Sequence, residues 1–590
     1  MKYGMKKEEF EELINNGDNS NANLSFSPEM VVQYTYEAVA KEYNLSIMPK
    51  QCRKAYLEGF IHHHDLHGAI LKPNCLNHNI RFYAKNGLKI DGKGENGAVA
   101  KPAKSLEVLL NHMLQAFMAG ACVLTGGQAF TNFNTFLAPF AKGRSYVDIK
   151  QAIQGFIFNC NMSLVARGGQ VLFSSIGLDL SMPDVLKDVP AICPDNVIKG
   201  TYKDYMEEFN LIFRAVCEVL NEKDGQGAYF RFPNTLFSIR NGDLDKYEGN
   251  CKLLHELGAN NPTIYYVNCT DAERTVMGCR TSNQLNYTGD YFRDCLGAGN
   301  FMYSTLNLPL IALTYKKDFF KYLDKYIEII YDTLKWRRKQ VTNTIYNKHM
   351  SDFLLWKDDE DKLYNFDTSS MTIGVCGLYE CVKTLEKIDG FVNNIDDFYN
   401  DTLGVRIMKF INNKVNEFKE RDGLRWGVIG SPAESTAYKF GKINVEKFPD
   451  EAIFQGTKDT PYLTNSTHIP VSHESDIIDH IRNADIYHPL TRAGNILHLW
   501  LGEVWSDAKS LWKLNQKILN TSTQFWAYSK VFTYCQKCGY TINDNLSECP
   551  ICKSKDLRVF DRVSGYYLPI KTWNEGKKQE FNDRYRHSNI

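Results

Sequence analysis

Near its C-terminus the chain carries Cys535, Cys538, Cys549 and Cys552 as two C-x2-C pairs separated by ten residues, with Gly539 and Pro550 beside them to make tight turns. Four thiolates presented on two such knuckles complete a tetrahedral shell around Zn²⁺ and leave no open position, so the expected ion is structural. Four independent buried thiols would not explain the paired spacing. The pattern dictates how the end of the chain folds but says little about function, because unrelated proteins use the same ribbon, nucleic-acid binders among them. Composition shifts with it: from about Thr533 the chain turns Cys-rich, then basic and aromatic.

Ahead of the ribbon lies ordinary globular sequence. The 590 residues are 43% hydrophobic and 23% charged, with 69 Lys and Arg against 69 Asp and Glu, which excludes a disordered chain, collagen or a coiled-coil rod. Zero net charge also argues against a protein that lives on nucleic acid or an anionic membrane, and no direct nucleic-acid binding is expected. The N-terminal MKYGMKKEEFEELI has no apolar stretch of a secretory signal. The apolar window 106–124 is broken by Glu107, Asn111, His112 and Gln115, as in a buried helix rather than a bilayer span. A cytoplasmic protein with no membrane partner is expected. Helical periodicity marks 106–117, 205–220, 319–336 and 505–528, while 263–267, 302–306 and 426–429 read as short buried strands beside turn signals. The mixture predicts an α/β fold, a barrel, without repeats.

Just after the ribbon stands Arg562-Val563-Ser564-Gly565-Tyr566, followed by a polar tail with Lys577, Lys578, Phe581 and Arg584. R-V-x-G-Y behind a four-Cys ribbon resembles the glycyl-radical loop of the anaerobic (class III) ribonucleotide reductases. By itself such a glycine reads as a turn residue needing positive φ. Chemistry offers another reason: with no side chain, an α-carbon radical can flatten and spread its spin over both flanking amides. The resemblance implies that Gly565 stores a radical in a buried loop and passes its oxidising power to a nearby thiol.

Met277-Gly278-Cys279-Arg280-Thr281 resembles the family's thiyl loop. The resemblance makes Cys279 the thiyl radical that takes the 3′ hydrogen of a ribonucleotide, with Met277 beside it and Asn300, in Gly297-Ala298-Gly299-Asn300, at the ribose. Replacing the 2′ hydroxyl by hydrogen requires a donor on the opposite face of the sugar. Cys75, in Asn74-Cys75 downstream of His64-Asp65-Leu66, matches that role, with His64 at the substrate. Three consecutive imidazoles, His62 to His64, point in different directions on any regular element, which argues against a metal site there. Gly430-Ser431-Pro432-Ala433-Glu434-Ser435-Thr436 looks like a loop entering a helix, whose free amides attract anions. The resemblance puts the substrate phosphates on Ser431, Ala433, Glu434, Ser435 and Thr436. Gly126-Gly127-Gln128-Ala129-Phe130 looks like the family's dimer-interface and allosteric region.

The resemblance runs in order from about His62 to Gly576. It implies a ten-stranded glycyl-radical-type barrel over 1–530 with an N-terminal helical and dimer region, the zinc ribbon over 531–556, and the radical loop and tail over 557–590. An N-terminal ATP cone, common in the family, is not expected, because only 61 residues precede His62. Met277 with Asn300 further resembles the branch that takes formate as co-substrate and reductant, although Cys295 lies near in sequence. The implied partners are a second copy of the chain in a homodimer, a radical S-adenosylmethionine activating enzyme, ribonucleoside triphosphate substrates, and ATP or deoxynucleotide effectors. The competing readings are another glycyl-radical enzyme, an acyl lyase or dehydratase, and a zinc-ribbon nucleic-acid binder using Lys577, Lys578, Arg584 and Arg586.

Overall fold

The computed structural model describes residues 5–16, 22–23, 26–165, 169–278, 280–388, 391, 402–502 and 507–588. Two sheets organise them. One holds, in order, Leu497–Trp500, Phe525–Ser529, Tyr265–Asn268, Asn234–Ile239, Ser174–Asp179, Gln128–Phe130 and Leu76–His78. The other holds Ile61–His63, Asn300–Asn307, Ser370–Cys376 and Trp426–Gly430. Pairing within the long runs is parallel, and these strands are buried along almost their whole length, as expected where helices cover the outer face.

The sheets meet edge to edge at two seams. At one, the Asn74, Cys75 and Asn77 amides donate to the carbonyls of Phe301, Asn300 and Ala298 at 2.9 Å each. At the other, Gly430 N–H donates to Gly494 O at 2.8 Å and an isolated bridge joins Ile429 to Gly494. Among the described residues no continuous ladder closes the sheets into one barrel. Between them projects a hairpin, Arg274–Met277 paired antiparallel with Thr281–Gln284.

The helical periodicity is realised in Leu106–Val123, Met206–Glu222 and Phe319–Tyr346. Leu106–Val123 is long and apolar enough to cross a membrane, yet Leu106, Leu109, Leu110, Met113 and Phe117 are buried in the core. The run 505–528 departs from expectation: Ala508–Leu519 is helical, but Phe525–Ser529 is a strand. Between them Asn520-Thr521-Ser522-Thr523 ends the helix, since their short polar side chains bond local backbone and so compete with helical hydrogen bonds; Thr521 Oγ1 donates to Ile518 O at 2.7 Å.

The Gly126-Gly127 segment lines a cavity within the chain and leads into a strand whose residues 128–130 are all buried.

At the C-terminus Thr541–Ile542, Phe532–Cys535, Leu557–Arg562 and Tyr567–Pro569 form one sheet, so the four-cysteine ribbon and the Gly565 loop share a scaffold. The basic tail is no open cationic patch. Lys577 is 2% exposed and donates to Glu580 at 2.6 Å; Arg584 is 6% exposed and bridges Asp561 and Glu580 at 2.8 and 2.9 Å. That pairing removes the surface the nucleic-acid reading needed.

Candidate active site

A cavity of about 950 Å³ opens between the hairpin, the first seam and the start of the Glu434–Lys447 helix. Cys75 lines it, and is the only cysteine that does so among the described residues. Its setting is built by the His-Asp-Leu segment. Asp65, at φ 49°, turns its carboxylate to accept from Asn74 Nδ2 at 2.8 Å and Thr125 Oγ1 at 3.1 Å, which fixes the residue beside Cys75. Gly126 and Gly127 admit the neighbours: a Cβ on Gly126 would stand 2.7 Å from the Cys75 sulfur, and one on Gly127 3.0 Å from the Gly278 α-carbon. Cys75 packs with Ala129 and Met277 in one small buried cluster.

Cys279 lies outside the described residues. Its neighbours Gly278 and Arg280, at the turn of the hairpin, both line the cavity. Arg280 donates to the carbonyls of Gly430 and Ser431 at 3.0 and 3.1 Å, tying the hairpin to the expected phosphate loop. Asn300 is fully buried. Its Nδ2 donates to Thr372 Oγ1 at 2.6 Å, its backbone carbonyl accepts from Cys75, and its Oδ1 has no partner among the described residues. Cys295 is buried away from the cavity, its thiol directed to Asn283 O at 3.8 Å.

The phosphate-loop candidates separate into two groups. Ser431 is buried and shares a hydrogen bond with Thr305 Oγ1 at 2.6 Å, and Thr305 in turn bonds His64 Nε2 at 2.7 Å. Burial, followed by the Arg337 and Lys439 charges, holds His64 down at about 3, so the ring is neutral at neutral pH. Ala433 N–H is already bonded to Ser431 O at 2.9 Å. Beyond it Ser435 and Thr436 line the cavity at a helix start that no side chain caps, which leaves first-turn donors available to an anion.

Glu434 does something the sequence did not signal. Its carboxylate accepts from Ser564 Oγ and, at 3.1 Å, from Tyr566 OH, the residues on either side of Gly565. Burial raises the Glu434 carboxyl above the usual carboxylate range. The loop is pinned from the strands as well: Tyr265 OH and Asn234 Nδ2 donate to Gly565 O, and Val563 N–H donates to Tyr566 O at 3.0 Å. Arg562, wholly buried between the rings of Tyr265 and Tyr567, donates to Pro262 O at 2.8 Å. Gly565 is buried and is not among the glycines with positive φ, so the turn itself does not demand glycine there.

The four ribbon thiols converge. Their sulfurs lie within 4.8 Å of one another, with Cys535–Cys552 and Cys538–Cys549 at 3.6 Å, far longer than a disulfide and close to the sulfur–sulfur edge of a tetrahedral zinc–thiolate shell.

Comparison with known proteins bears on the family and the fold. The family model described as anaerobic ribonucleoside-triphosphate reductase matches residues 20–587. The chain is 24% identical to the anaerobic ribonucleoside-triphosphate reductase of Salmonella typhimurium, over 93% of this chain and 80% of that one. It is 23% identical to that of Enterobacteria phage T4, over 93% of each. Its fold superimposes on the Thermotoga maritima anaerobic ribonucleotide reductase solved with dATP and CTP, with a TM-score of 0.76 at 16% identity, covering 97% of this chain and 96% of that one. The chain belongs to the anaerobic ribonucleoside-triphosphate reductase family.

Proposed function

We propose that the chain reduces ribonucleoside triphosphates by a radical relay from Gly565 to Cys279, with Cys75 as the second thiol and formate as reductant. The observation that carries this reading is the position of Glu434: one carboxylate holds both neighbours of Gly565 and lines the cavity that contains Cys75. Radical loop, phosphate helix and hydrogen donor therefore belong to one site. Cys279, as thiyl, removes the 3′ hydrogen and becomes a thiol. The 2′ hydroxyl leaves as water, and Cys75 supplies hydrogen at C2′. Formate returns a hydrogen to Cys75, passes its second electron with a proton to the oxidised sugar and leaves as CO₂, and Cys279 returns the 3′ hydrogen and is again a thiyl. Over the cycle one ribonucleotide, one formate and one proton become one deoxyribonucleotide, CO₂ and water.

The unpartnered Oδ1 of Asn300 supports a ribose contact, since a buried acceptor gains most when a donor arrives. Formate is supported by the lining, in which the described residues add no cysteine to Cys75. A zinc ion held by Cys535, Cys538, Cys549 and Cys552 would lock the two knuckles together. Homodimerisation, a radical S-adenosylmethionine activase, effector nucleotides and a cytoplasmic setting complete the proposal. The test is anaerobic turnover after activation, with a ribonucleoside triphosphate and ¹⁴C-formate. Labelled CO₂ formed one for one with deoxynucleotide is expected; deoxynucleotide without labelled CO₂ would remove formate, and no deoxynucleotide would remove the reading.

A further inference from the structure

The Glu434–Lys447 helix lines the cavity with Glu434, Ser435 and Thr436 and runs on beside two further lining residues, His62 and Tyr56. Ser435 faces the cavity, and Lys439, four residues on, falls on the same helix face about 6 Å along the axis. Lys439 Nζ donates to His62 Nδ1 at 3.3 Å and sits 4.3 Å above the Tyr56 ring. His62, Tyr56 and Lys41 all line the cavity. Lys41, on the Pro28–Ile47 helix, acts electrostatically on both Lys439 and His62. Among the described residues neither lysine forms an ion pair; the influences on Lys439 are burial and the second cation, which hold it down at about 8. Glu9, Glu12 and Glu37 also line the cavity, and Glu37 is turned toward His67 at 3.8 Å.

A half-buried lysine, Lys439, and an exposed one, Lys41, with no ion pair among the described residues, stand at the far end of a helix face that begins with free amides and make a site for an extended polyanion. A lone phosphate at the helix start would not reach them. We infer that Lys439 and Lys41, with His62, hold the terminal phosphate of the substrate and so separate ribonucleoside triphosphates from diphosphates. The inference rests on the ribonucleotide reading of this cavity and adds to it the groups that count phosphates.

The test uses the full, unactivated chain under anaerobic conditions, with an effector deoxynucleotide at saturation, and measures CTP and CDP binding by calorimetry. For Lys439→Ala the CTP dissociation constant should rise about tenfold to hundredfold, the loss expected for a charge-assisted hydrogen bond, while CDP stays within about threefold. Lys41→Ala should shift CTP in the same direction, and Lys439→Arg should restore most of the CTP affinity. The unchanged CDP value shows that the variant is folded. Equal weakening of CTP and CDP, or CTP binding unmoved, overturns the assignment while the ribonucleotide reading stands. A wild-type chain that binds neither nucleotide overturns both.

Discussion

Replacing Glu434 by Ala removes one carboxylate and leaves two hydroxyls, those of Ser564 and Tyr566, without their acceptor. Each lost hydrogen bond in a half-buried setting is worth roughly 1–1.5 kcal/mol, so the closed loop should lose about 2–3 kcal/mol against its opened form. The opened population then rises about 30- to 150-fold, since each 1.4 kcal/mol is a factor of ten. Amide hydrogen exchange across residues 563–567 reads that population directly. Electron paramagnetic resonance of the activated enzyme should show a radical that decays faster in trace oxygen. Ser564→Ala and Tyr566→Phe should each reproduce part of the effect in a Glu434 background and add little to Glu434→Ala, because the partner is already gone. Unchanged exchange at 563–567 in Glu434→Ala, with nucleotide binding lost, would place Glu434 at the substrate alone and refute the latch.

Metal analysis should find one zinc per chain, and chelation should increase exchange in 557–569 and block activation while CTP still binds; retained activation without metal would detach the ribbon from the loop. Cys279→Ser should form the glycyl radical but make no product, whereas Cys75→Ser should exchange the 3′ hydrogen with solvent and yield no deoxynucleotide; product from either variant contradicts two-thiol chemistry. Activated protein exposed to air should be cut at Gly565, releasing a fragment that begins near Tyr566, and Gly565→Ala should stay whole; mass spectrometry that finds a cut elsewhere moves the radical to another residue. Lys439, at about 8 in the free chain, faces His62, Tyr56 and Lys41, of which burial keeps His62 neutral and Tyr56 protonated at that pH. An arriving phosphate favours the charged lysine, so CTP binding should take up protons near pH 8 and weaken above it, a pH slope that Lys439→Ala abolishes.

Local chemistry was legible where it repeats at short range. The two C-x2-C pairs and the strands around 265 and 302 needed only spacing and residue type, whereas the Gly565 loop was read through its resemblance to a family. What could not be read were roles set by partners far along the chain. Glu434 looks like an ordinary acidic residue in a first helical turn, and the hydroxyls it holds are 130 and 132 residues away. Lys41 sits in an unremarkable amphipathic helix until the fold sets it near Lys439. The run 505–528 failed for a related reason: helical periodicity continues through Phe525, but the strand pairing on both sides of Phe525–Ser529 outweighs propensity.

The two seams give this architecture a mechanical property. Each sheet is held along its own ladders, whereas among the described residues the joins carry only a few backbone bonds, with a shared apolar core behind them. Both joins run through the chemistry: the Cys75 amide to Asn300 carbonyl bond is part of one, and Arg280 reaches across the other to Gly430 and Ser431. A small shift at the first join would therefore act directly on the spacing of Cys75 and Asn300, the proposed hydrogen donor and ribose contact.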